Sequence, residues 1–246
     1  MWRPRIATDT VQDFVDYALS WLDEHRYSLS VDADLGRWAS TMAETSPSAF
    51  VNPAFDPRCS RLTPEDSFWL DVRAGSQTIA TCATRLFVTD DVFDLLRSMR
   101  LWLAEPPARY GRLRVTPPPG SPAIAGNVGH EGGLWVHPLH RKRGLSVILP
   151  HLARALSVRE WQLDWQTGIA RQGIGECGIA SWAYGMPHVE RCFDGDFPLT
   201  DTRERFYIVY MSRAELMAGL ELDSVAGLLP DRNQQPRHTR ALVMEG

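Results

Sequence analysis

The reading turns on one stretch: Leu134-Trp135-Val136-His137-Pro138-Leu139-His140-Arg141-Lys142-Arg143-Gly144-Leu145-Ser146-Val147-Ile148-Leu149, continuing through Leu152 to Leu156. Its opening, from Gly132 to His137, has the composition of a short buried strand. Past Gly144, the residues Leu145, Ile148, Leu149, Leu152 and Leu156 recur at helical spacing and form an apolar stripe. Strand, basic turn and helix follow one another. A helix start carries N–H groups with no intrahelical acceptor, and its dipole favours negative charge. Gly144 lets a backbone approach an anion without a Cβ in the way, Ser146 is small, and Arg141, Lys142 and Arg143 raise the local positive potential. These parts suit a pyrophosphate.

Outward from this turn, 246 residues with 44% hydrophobic and 23% charged content suffice for one sizeable core and fall short of two large domains. A single domain over residues 1–230 is expected, with an insertion at about 90–125 and a polar tail over 231–246. No apolar run long enough to span a bilayer is present, and the N-terminal residues show no signal core, so a soluble, cytoplasmic protein without a membrane partner is expected. Cys59, Cys82, Cys177 and Cys192 lack zinc-ligand spacing, which points to reduced thiols and no metal. A net charge of −4 argues against a nucleic-acid partner.

Before the turn, Val11, Phe14, Val15, Ala18, Leu19 and Leu22 predict a helix capped by Thr10, and a weaker helix is expected over Asp34–Glu44. Phe68, Leu70 and Val72 alternate with polar neighbours, Ala74 to Gln77 supplies a turn, and Thr78–Val88 is rich in β-formers, so a hairpin is expected. Asp91–Leu103 reads as helical and is followed by a proline-rich loop. Beyond the turn, Trp161–Ile169 is expected to be a strand, Glu176–Tyr184 a short helix and Arg205–Met211 a strand.

The motif residues Arg141, Gly144 and Ser146, between that strand and that helix, resemble the Arg/Gln-x-x-Gly-x-Gly/Ala turn of the GNAT (GCN5-related N-acetyltransferase) superfamily; Ser146 stands where the family has Gly or Ala. The resemblance implies an α/β (α+β) fold with a mixed, mostly antiparallel sheet flanked by helices, carrying the proline-rich insertion before the motif strand. It implies acetyl-CoA as acyl donor and transfer to an amine. Arg141, Lys142, Arg143, Gly144, Leu145 and Ser146 would then hold the pyrophosphate, and Leu134, Trp135, Val136 and His137 would offer backbone groups to the pantetheine arm. The motif strand would splay from its neighbour to admit the coenzyme.

Transfer of an acyl group to an amine needs a base for the amine and a proton source for the departing thiolate. By the resemblance, Tyr184 on the helix after the motif helix is the acid. Glu131, just before the motif strand, is the candidate base; His130, His137 and Asp164 compete with it. Cys177 is expected to be a buried structural thiol, and Trp161, Trp165, Trp182 and Tyr184 are candidates for lining an acceptor pocket. The acceptor is a small-molecule or peptide amine, and a homodimer is left open. The rival reading is a catalytically degenerate GNAT-fold domain that binds coenzyme A or a protein partner.

Overall fold

The computed structural model describes residues 6–45 and 51–229; the expected tail over 231–246 lies outside the described residues. The elements are α1 (Ile6–Glu24), β1 (Ser28–Asp32), α2 (Leu35–Thr45), β2 (Ser67–Ala74), β3 (Gln77–Thr89), α3 (Val92–Arg97), β4 (Gly126–Val136) and α4 (Leu145–Trp161). There follow β5 (Trp165–Arg171), α5 (Gln172–Glu176), α6 (Ile179–Trp182), β6 (His188–Phe197), β7 (Thr202–Ser212), α7 (Arg213–Gly219) and α8 (Leu222–Ala226). The strands form one sheet in the order β1-β2-β3-β4-β5-β7-β6. Every pairing is antiparallel except β4 with β5. This is the mixed, mostly antiparallel sheet flanked by helices that the motif resemblance implies.

Alternation along the strands sends side chains to two apolar layers. On one face Phe68, Leu70, Val72, Ala80 and Cys82 pack with α1 and α4; on the other Trp69, Ala83, Val128, Ile208 and Tyr210 pack with α2, α3 and the proline-rich segment. That segment is well buried at Leu113, Val115 and Ile124, and the Thr116 N–H donates to the Cys192 carbonyl of edge strand β6. Helix α4 lies between α1 and the sheet, so its burial extends well beyond the expected stripe.

Several boundaries differ from expectation for identifiable reasons. Helix α1 begins at Ile6, which places Thr10 inside the helix rather than at its cap, and Leu19 is exposed. The expected helix over Asp91–Leu103 stops at Arg97: Met99 adopts a left-handed conformation (φ 61°) and the Leu101 N–H turns back to the Leu95 carbonyl at 3.2 Å. Trp161 ends α4 and does not open a strand, because Gln162 (φ 49°) caps the helix and β5 starts at Trp165. The helix expected over Glu176–Tyr184 is broken by Gly178 (φ 80°) into α5 and α6. Edge strand β6 lacks the apolar alternation that would have marked it, and edge strand β1 alternates at Leu29 and Val31 but over only five residues.

Candidate active site

The chain leaves β4 through a 3-10 turn at Pro138–His140 and enters α4 at Leu145. Two interactions set the geometry of the turn: Arg141 Nε donates to the Val136 carbonyl at 3.1 Å, and the Tyr27 hydroxyl meets His140 Nδ1 at 3.0 Å. Lys142 (φ 60°) and Gly144 (φ 93°) are both left-handed. Gly144 is the cap residue of α4 and brings no side-chain acceptor, so the first N–H groups of a long helix open beside Arg141 and Lys142, whose side chains are exposed. Leu145 is buried in the core and offers only its amide; Ser146 is half-buried in the first turn.

Upstream, β4 changes register against β3: Thr81 faces Trp135 while Ala83 faces Gly132, so β4 carries an extra residue at Gly133-Leu134. Gly133 is left-handed (φ 60°), and a Cβ there would lie 2.3 Å from Trp38 Cζ2. Only glycine fits. Beside this bulge, β4 and β5 pair from Val128 with Trp165 to Glu131 with Gly168, and no further. Past that rung the strands diverge, as the resemblance implies, around a cavity of about 260 Å³. Its walls are Glu131, Gly132, Gly133 and Leu134 of β4, Gly168 to Arg171 of β5, Pro150 of α4, and Ile174, Ala180 and Tyr184 of the segment after β5. Pro150 lacks an N–H for the Ser146 carbonyl and so interrupts the α4 ladder where the helix meets the cavity.

Glu131 and Tyr184 thus line one cavity although 53 positions separate them in the chain. Glu131 lies within β4, which begins five residues earlier than it does, and not just before the strand as expected. Its carboxylate accepts from Arg154 twice, Nε to Oε2 at 2.9 Å and Nη2 to Oε1 at 2.7 Å, with Gln166 Nε2 at 3.4 Å from Oε2. Burial, then the neighbouring Cys177, Cys82 and Glu131, push the Tyr184 phenol up to about 12, so it stays protonated at ordinary pH.

Several solved structures are similar to this chain. They include NAA60 from Arabidopsis thaliana in complex with acetyl-CoA, at 12% identity and TM-score 0.46, over 76% of this chain and 99% of that one. A GCN5-related N-acetyltransferase from Brucella melitensis is similar at 12% identity and TM-score 0.46, over 85% of this chain and 87% of that one. The ribosomal-protein-S18-alanine N-acetyltransferase from Escherichia coli is similar at 13% identity and TM-score 0.41, over 75% and 94%. No family model and no curated protein matches the sequence.

The other candidates lie elsewhere. His130 points to the opposite face, where Phe55 stacks on it at 5.8 Å and Nδ1 meets Thr167 Oγ1 at 3.3 Å; burial, then Arg85, drive its pKa down to about 3. His137 uses Nδ1 to accept from the Leu139 N–H, capping the 3-10 turn. Asp164 accepts from the Asn127 N–H at the paired end of β4 and β5, remote from the cavity. Cys177 is exposed and not buried, since it sits on the outer turn between α5 and α6. Of the four aromatic residues only Tyr184 lines the cavity: Trp161 packs on Phe68, Trp165 lies on the other face, and Trp182 is 56% exposed. Arg154 went unnoticed in the sequence, although a cation inside the apolar run Leu152-Ala153-Arg154-Ala155-Leu156 signals a buried partner. Among the described residues, no helix is long and apolar enough to cross a membrane.

Proposed function

We propose that this chain is an acyl-CoA-dependent N-acyltransferase of the GNAT superfamily, transferring acetyl from acetyl-CoA directly to an amine. One observation carries the reading: the strand that ends in an uncapped, cation-flanked helix start also forms one wall of a split in the sheet, and that split holds a carboxylate and a protonated phenol. Acetyl-CoA when bound would supply the activated acyl group as a thioester, with coenzyme A leaving as the thiol. The amides of Leu145 and Ser146, with Arg141, Lys142 and Arg143, fit its pyrophosphate, because no side chain among the described residues caps that helix start. The backbone of Leu134 to His137 lies along the open side of β4, free of β5, and suits the pantetheine arm.

Within the cavity Glu131 takes the proton of the attacking amine, directly or through a water. Tyr184 supplies a hydrogen bond to the sulfur as negative charge develops there. Apolar walls at Leu134, Pro150, Ile169, Ala170 and Ile174 lower the local dielectric, which strengthens both interactions. Small-molecule and peptide amines both fit a site of this kind.

Calorimetry with acetyl-CoA, followed by thiol release on an amine panel, tests the reading. Gly144→Asp places a side chain and a negative charge at the helix start, and donor affinity is expected to fall at least about tenfold. Unchanged affinity in that variant would remove the turn from donor binding, and no binding of any acyl-CoA by the wild type would sink the function. Binding with no thiol released from any amine would instead leave a coenzyme-binding domain without catalysis.

A further inference from the structure

Nothing in the chemistry above uses Arg154, yet this residue is placed with unusual care. It stands in the middle of α4 with 2% of its side chain exposed, and it meets a carboxylate that is itself only 10% exposed. Burying two opposite charges is seldom repaid in stability, because the hydration they lose rivals their attraction. Apolar side chains would fill the same space at least as well. What the pair does to Glu131 at the cavity wall is the better explanation.

We propose that Arg154, assisted by Gln166, is the positioning residue of Glu131. Nε and Nη2 of the guanidinium each hold one carboxylate oxygen, at 2.9 and 2.7 Å, and this side-on fork fixes the plane of the carboxylate. Oε1 keeps a lone pair beyond the one that accepts from Arg154, so the carboxylate is oriented without being consumed. Gln166 adds a second hold through Nε2, while its own Oε1 is buried without a partner among the described residues. Turning that amide over would set a carbonyl oxygen against a carboxylate, so the donor orientation is kept at the expense of an unsatisfied oxygen. Helix α4 carries the donor turn at its N-terminus and Arg154 farther along, and therefore couples the position of the base to the position of the coenzyme.

The inference rests on the reading of Glu131 as the base, and the experiment separates the two. Steady-state kinetics and coenzyme A calorimetry are compared for wild type, Arg154→Lys, Glu131→Gln and the double variant Glu131→Gln/Arg154→Met. Arg154→Met alone would leave a buried carboxylate uncompensated, so it is replaced by Arg154→Lys, which keeps the charge and loses the fork. For Arg154→Lys we expect kcat to fall at least tenfold while the Kd for coenzyme A stays within twofold. The double variant should match Glu131→Gln within twofold, because Arg154 acts through Glu131 alone. A readout without donor accompanies these: the carboxyl carbon resonance of Glu131, identified by its loss in Glu131→Gln, should move in Arg154→Lys. A kcat for Arg154→Lys within twofold of wild type overturns the positioning role, as does a double variant more than tenfold below Glu131→Gln. Wild-type turnover that survives Glu131→Gln overturns the base instead, and the positioning claim falls with it.

Discussion

Strands β4 and β5 have two ends of opposite character. At the paired end, Val128 to Glu131 run in register with Trp165 to Gly168, and the side chains interlock: Thr167 Oγ1 donates to the Gly129 carbonyl at 3.0 Å, His130 Nδ1 meets Thr167, and Asp164 caps the Asn127 N–H. At the open end the same strands share no rung, glycines replace side chains, and a bulge turns β4 away from the pairing it has just made. Glu131 occupies the last paired rung, with Arg154 behind it and the cavity in front. The difference teaches where precision comes from: a polar, interlocked half of the ladder holds the Glu131 carboxylate steady at the edge of a half left open.

The bulge is the hinge of that contrast, and Gly133→Ala strikes it hardest. Alanine would have to adopt φ 60° and place its Cβ 2.3 Å from the buried Trp38 ring. Backbone strain and overpacking together are expected to cost about 3 kcal/mol, read as a lower urea midpoint at constant slope. Stability within about 0.5 kcal/mol of wild type would mean the bulge relaxes freely and is no fixed feature of the open end.

Acid should weaken the paired end, as it should α4 at the equally buried His151, whose pKa is likewise lowered to about 3. His130 is held neutral, its pKa lowered from 6.5 to about 3 by burial and by Arg85. The sign follows from linkage: below pH 6.5 the unfolded chain binds a proton that the folded chain refuses, so the contribution is complete above 6.5 and is lost as pH falls toward 3. Between pH 7 and pH 5 this one residue should remove about 2 kcal/mol. Unfolding of wild type and His130→Gln at the two pH values tests it: the variant should lose about 2 kcal/mol less than wild type, and equal losses in both proteins would remove His130 from the acid sensitivity.

The two ends were also unequally legible in the sequence. The basic turn and the helix behind it are contiguous, so Arg141, Gly144 and the leucines of α4 announce themselves by local spacing. The hairpin of β2 and β3 was readable for the same reason. The cavity is not local: Glu131, Arg154, Gly168 and Tyr184 come from four segments, and only strand divergence and packing bring them together. Sequence spacing placed Glu131 outside its strand and left its partner unseen, because a buried ion pair across two elements has no period along the chain. His130 and His137 competed with Glu131 in the sequence; strand alternation sends His130 to the opposite face, and the 3-10 turn engages His137.

Tyr184 gives the finest test of the open end, because its expected effect is modest. Its phenol is held at about 12, whereas a free thiol titrates near 8.5. Outright transfer of its proton to a thiolate would run uphill by about 5 kcal/mol, so in the proposed reaction the hydroxyl would act as a hydrogen-bond donor and solvent would deliver the proton. A single neutral donor of that kind is worth about tenfold in rate when it strengthens only as charge develops. Tyr184→Phe should therefore lower kcat about tenfold, leave the affinity for coenzyme A within about twofold, and leave the pH profile of kcat unchanged up to about pH 9. A loss above about a thousandfold would mean that the phenol does transfer its proton, and an unchanged kcat would remove Tyr184 from the site and leave the cavity with Glu131 alone.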